Sequence, residues 1–101
     1  MKLDIKGIGF SATEAIRDRV SRRVGIALSR RTDQVLRVVV RLQDLNGPRG
    51  GIDKHCRIEA SLARRPGEVV EALSNDLYTA IDTACRRLGR AVHRSLERAE
   101  S

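Results

Sequence analysis

Aromatic side chains are nearly missing from this chain, which has one tyrosine, one phenylalanine and no tryptophan among 101 residues. Domains that hold single-stranded nucleic acid on stacking platforms need several such rings. That mode of binding is nearly excluded. Cysteine is equally scarce. Cys56 and Cys85 do not make a disulfide framework, and each falls on an apolar face, so both read as reduced core thiols of a cytosolic protein. No apolar run reaches the roughly 18 residues a membrane helix needs. The opening residues MKLDIKGIGF place Asp4 and Lys6 where a signal peptide requires continuous apolar sequence. Acidic residues are also short, 13 against 20 basic ones, for a net charge of +7, and 17 of the 20 are arginine. A positive field spread along the whole length favours association with nucleic acid or another acidic polymer.

Arginine is what the chain has most conspicuously, and residues 75–98 show how it is arranged. At 100° per residue, Leu77, Ile81, Ala84, Cys85, Leu88, Ala91, Val92 and Leu96 fall on one side of a helix. Arg86, Arg87, Arg90, Arg94 and Arg98 fall on the other. Guanidinium groups offer planar forks of donors matched to phosphate, which mere solubility would not require.

The remaining sequence reads as one small α+β domain over residues 1–101. Residues 2–6 alternate as a strand, interrupted by Gly7 and Gly9. Ser11 and Glu14 have capping-box spacing, and Ala12, Ile16, Val20, Val24 and Ala27 form a helical stripe to about Arg30. Val35–Leu42 is a second strand, with Leu36, Val38, Val40 and Leu42 on the core face and Val35, Arg37, Val39 and Arg41 opposite. Asn46–Gly51 is a turn or loop. Lys54–Ala63 is a third strand, Arg64–Gly67 a tight turn, and Glu68–Leu73 the last strand. Ser74 or Asn75 is placed to cap the long helix.

The order β-α-β-β-β-α predicts an open-faced sandwich. The first crossover is right-handed, making strands one and two parallel, and the hairpins make the others antiparallel. Only one sheet face is consistently apolar, so both helices must cover it. Arg17, Arg19, Arg22 and Arg23 of the first helix would then lie beside the arginines of the last, forming one basic surface. Arg37 and Arg41 make a possible second patch, with Glu59 on the neighbouring strand as an ordinary ion-pair partner.

Metal and catalytic readings are weak. His55 and Cys56 are successive strand residues and point to opposite faces. Cys85 and His93, eight apart, are separated by about 12 Å along a helix. Cys85 lies on the core stripe, a poor place for a nucleophile. Gly47–Gly51 lacks the Lys-Ser/Thr end of a phosphate-binding loop. No enzyme, metal or cofactor is expected.

The segment Asp76-Leu77-Tyr78-Thr79-Ala80-Ile81-Asp82, with Ala15-Ile16-Arg17 and the order of elements, resembles the ribosome hibernation promoting factor family, also called ribosome-associated inhibitor or protein Y. The likeness covers essentially the whole chain. It implies a cytosolic bacterial protein that binds the small ribosomal subunit in starvation or stationary phase. There it would contact 16S ribosomal RNA in the channel for messenger and transfer RNA and block translation. It also implies that Arg17 and Arg23, with Arg86, Arg87, Arg90 and Arg94, lie on the RNA-binding surface, to which the basic helix faces add Arg22 and Arg98. Where the family often carries Lys-Leu-x-Lys, this chain has Gly25-Ile26-Ala27-Leu28 and delays its charge to Arg30 and Arg31. With its end at Ser101, the chain is expected to lack the C-terminal dimerisation domain of long members. Two other readings stand beside this one: a general binder of structured or double-stranded RNA, and an interaction module for an acidic protein.

Overall fold

The computed structural model describes residues 1–45 and 52–100. The chain runs β1 (Lys2–Ile8), α1 (Glu14–Leu28), a 3₁₀ segment (Ser29–Gln34), β2 (Val35–Asp44), β3 (Lys54–Leu62), β4 (Arg65–Ser74) and α2 (Leu77–Glu100). The four strands form one sheet in the order β1-β2-β3-β4. β1 is parallel to β2, and the other two pairs are antiparallel. This is the α+β open-faced sandwich that the sequence pattern predicts. The Asn46–Gly51 turn lies outside the described residues.

Register explains why one face is apolar. Leu3 and Ile5 pair with Val38 and Val40, which pair in turn with Ala60 and Ile58. Period-two alternation then sends these side chains to the same side. Val20, Val24 and Leu28 of α1 meet that face, as do Ile81, Ala84, Leu88, Val92 and Leu96 of α2, and all are essentially excluded from water. Nearly without rings, the core is built from valine, leucine, isoleucine and alanine, and Ala60, Ala72, Ala80 and Ala84 let backbones approach closely.

Several local expectations are corrected. Leu36 is 57% exposed, whereas Val35 is 2% exposed. Between the pairs Val35–Leu62 and Arg37–Ser61, β2 advances two residues while β3 advances one. This bulge turns Leu36 out and Val35 in. β1 continues through Gly7, and the chain turns at Gly9, whose φ is +83°. α1 starts later than the Ser11 reading: Thr13 is the cap, its hydroxyl accepting from the Ile16 amide at 3.2 Å. It also ends sooner, at Leu28, because Ser29 takes φ 44° and leaves the helical region.

The predicted turn at Arg64–Gly67 is instead a two-residue loop of Ala63 and Arg64, with Arg64 at φ 63°. Arg65, Pro66 and Gly67 belong to β4. There β4 advances three residues while β3 advances two, which accommodates a proline without a broken ladder. The α2 cap is Asp76 rather than Ser74 or Asn75. Its carboxylate accepts from the Thr79 amide at 3.0 Å, and the Ser74 hydroxyl accepts from the Asp76 amide at 3.2 Å. An acid at this position also complements the helix dipole.

Candidate nucleic-acid interface

Where α1 and α2 run side by side, their spacing is set by Gly89. A Cβ there would sit 2.8 Å from the carbonyl oxygen of Ala27, too close for any larger residue without movement. The close approach leaves an open groove of about 450 Å³ lined by Arg23, Ala27, Asp82, Arg86, Gly89 and Arg90. A second hollow of about 550 Å³ continues past the end of α1, lined by Arg30, Arg31, Gly89, Arg90 and His93 among others. Both share Ala27, Gly89 and Arg90, so they form one trough along the helix pair.

Asp82 organises one end of this trough. Arg19 Nε donates to Asp82 Oδ1 at 3.0 Å and Arg19 Nη2 to Oδ2 at 2.6 Å, a two-pronged pair joining the helices. Arg23 Nε lies 3.2 Å from the same carboxylate. The Arg19 guanidinium also sits 5.4 Å from the centre of the Tyr78 ring, within cation–π range. The Asp76–Asp82 segment thus has a physical account: Asp76 caps, Leu77 and Ile81 pack, Tyr78 and Asp82 hold Arg19. Its Arg19 hydrogen bonds hold the Asp82 carboxyl below the usual carboxylate range.

A carboxylate with a depressed folded-state pKa contributes stability that is present above its unfolded value, about 3.9, and lost as pH falls through the folded value. Asp82→Asn is therefore expected to lower the thermal midpoint at pH 7. The difference from wild type should close as the pH falls below about 4. The shift should be modest, since solvent screens the pair. Thermal melts across pH 2–7 check this; a difference that persists at pH 2 would show that charge is not its cause.

Six of the eight predicted RNA-binding residues fall into three groups. Arg23, Arg86 and Arg90 converge on the trough. Arg87 and Arg94 lie on the other flank of α2, beside Glu68–Glu71 of β4, and Arg90 lines that hollow as well. Arg98 is further along, with Arg65 and Glu68. Arg22 is exposed, whereas Arg17 lies about 120° round α1 from Arg23 by helical periodicity and its Nε donates to the Ala12 carbonyl at 3.3 Å. Arg17 is thus turned away from the shared surface. Among the described residues, no hydrogen bond or ion pair engages Arg22, Arg90 or Arg94. Arg86 reaches only the Thr83 hydroxyl, at 3.4 Å.

The open sheet face differs. Arg41 pairs with Glu59 at 2.8 Å as expected, but Arg37 takes Asp4 instead, its Nε donating at 2.7 Å. Arg57 bridges Glu59 at 3.2 Å and Glu71 at 2.8 Å. Arg37 and Arg41 are therefore already neutralised by neighbours. The sequence reading did not include Arg30 and Arg31 in the surface, because it extended α1 to about Arg30 and could not place them around the break. Asp82 was also missed as a partner, although its place one turn before the arginine row that begins at Arg86 was the available signal.

The two thiols lie in the core. Burial pushes both Cys56 and Cys85 up to about 12, so they stay protonated and unreactive at neutral pH.

The family model described as "Sigma 54 modulation protein / S30EA ribosomal protein" matches residues 3–100. The chain belongs to this family. A solved structure of the Protein Y N-terminal domain from Thermus thermophilus is 32% identical, with a TM-score of 0.77, covering 93% of this chain and 98% of that one. A ribosomal subunit interface protein from Coxiella burnetii, at 15% identity, shares the fold with a TM-score of 0.82, covering 96% of this chain and 99% of that one. A comparison with curated proteins gives no match. The resemblance to hibernation factors read from the sequence thus holds at the level of family and fold. Among the described residues, no helix is long and apolar enough to cross a membrane.

Proposed function

We propose that this chain binds the small ribosomal subunit through 16S ribosomal RNA in the messenger and transfer RNA channel. Bound there in the cytosol of starved or stationary-phase cells, it blocks translation without any chemical step. The observation that carries this reading is the arginine trough between α1 and α2, continued across α2 by Arg90 and Arg94, whose guanidinium groups have no partner among the described residues. Exposed guanidinium forks left without partners suit phosphate oxygens. The scarcity of rings leaves phosphate and ribose as the contacts, and the folded shape of the RNA as the source of specificity. Membership of a family described as S30EA ribosomal protein supports the ribosome as partner.

Purified protein added to a cell-free translation reaction near the ribosome concentration should lower its output and sediment with the small subunit. Binding to an unstructured RNA of equal length should be much weaker. Equal affinity for the two, or full translation at saturating protein, would defeat the proposal.

A further inference from the structure

β4 is an edge strand. Among the described residues nothing pairs with its outer side, and its backbone runs beside α2 along a hollow of about 520 Å³. Arg87 Nη1 donates to the Glu71 carbonyl at 2.6 Å. That carbonyl therefore points away from β3. Backbone groups alternate in direction along a strand, so the N–H and C=O groups of Val69, Glu71 and Leu73 all face outward. Edges of this kind are templates for another strand unless something protects them. Here protection is partial: Pro66 removes one donor near the start, and Arg87 occupies one acceptor.

The two flanks of this edge differ in chemistry. On the helix side Arg87, Arg90 and Arg94 line the hollow, with Glu68 and Glu71 as its acids. Glu71 is turned instead to Arg57 on the open face, at 2.8 Å. The helix flank is thus strongly positive. On the open side Val69 and Leu73 are 52% and 54% exposed, large apolar surfaces with no cover. An added strand would send alternate side chains to these two flanks. Acidic side chains would meet the arginines, and the intervening ones would cover Val69 and Leu73. We propose that the β4 edge docks an extended protein segment in which acidic and apolar residues alternate. Docking takes over the Glu71 carbonyl and releases Arg87 to a carboxylate of the incoming strand.

An RNA strand would use the arginines but neither the outward amides nor the apolar pair, which is why a peptide fits this flank better. The inference does not depend on the ribosomal reading, since its ligand is a protein strand held by outward backbone groups, although Arg87, Arg90 and Arg94 belong to both surfaces.

The test uses isotope-labelled full-length chain and a short capped peptide alternating glutamate and valine. The peptide should shift the amide signals of Val69, Glu71 and Leu73 and slow their hydrogen exchange. N-methylation of the peptide at the residues whose amides face β4 should weaken binding about tenfold or more, the loss of one or two backbone hydrogen bonds. N-methylation in the other register should change it little. This comparison leaves the protein intact, so folding of a variant is not at issue. A peptide alternating lysine and valine should not bind. Equal binding of all the peptides, no protection of the three amides, or an oligouridylate that engages the same amides with equal affinity would each overturn the proposal.

Discussion

Reversing Arg86, Arg90 and Arg94 together to glutamate is expected to abolish ribosome binding at physiological salt while leaving the fold intact. These three lie one turn apart on the outer side of α2, and Arg90 lines both the helix trough and the β4 flank. At about 1.5 kcal/mol or more for each charge-assisted contact, their combined loss weakens binding by roughly a thousandfold. Neutralising them instead to glutamine should make the dependence of log affinity on log salt shallower by roughly two to three. The same reversal of Arg37 and Arg41 should cost far less affinity, because Asp4 and Glu59 already occupy their guanidinium groups. Filter binding to purified small subunits at several salt concentrations measures both. Equal losses from the two sets would make the open sheet face the docking surface and refute the assignment.

Replacing Gly89 by valine should have the largest effect on stability among single changes at the helix pair. The new Cβ falls 2.8 Å from the Ala27 carbonyl oxygen, and that neighbour is backbone, which cannot swing away like a side chain. The helices must separate, at a cost typical of overpacking, about 1–3 kcal/mol, reduced by a few tenths through better helix propensity. A net loss near 2 kcal/mol lowers the thermal midpoint by roughly ten degrees in a domain this small. Gly25 provides the contrast. A Cβ there meets nothing within 4 Å, so Gly25→Ala should stabilise by up to about 1 kcal/mol. Urea denaturation separates the outcomes, with the midpoint moving and the slope unchanged. A Gly89→Val protein as stable as wild type would show that the helices are not held at this distance.

The two variants also bear on each other. Widening the helix pair moves Arg23 away from Arg86 and Arg90 across the trough. Gly89→Val should therefore weaken ribosome binding without removing a charge.

The amino-acid sequence by itself determined the layer architecture and the sign of the surface. Alternation in residues 2–6 and 54–62, and the wide apolar stripe of α2, leave one sheet face and two helix faces to be buried together. With only one such face, a single sandwich is the solution. The arginine row of α2 was equally legible, because helical periodicity is a local property. What tertiary structure alone decided was pairing across distance. Asp82 neutralises Arg19 and Arg23 only because Gly89 lets the helices touch, and Arg37 finds Asp4 only through the parallel β1–β2 register. The exposure of Leu36 and the place of Pro66 within β4 follow from bulges, which one strand cannot specify without its neighbour. Periodicity says which way a side chain points, whereas the charge left free for a ligand depends on which acids the fold brings beside it.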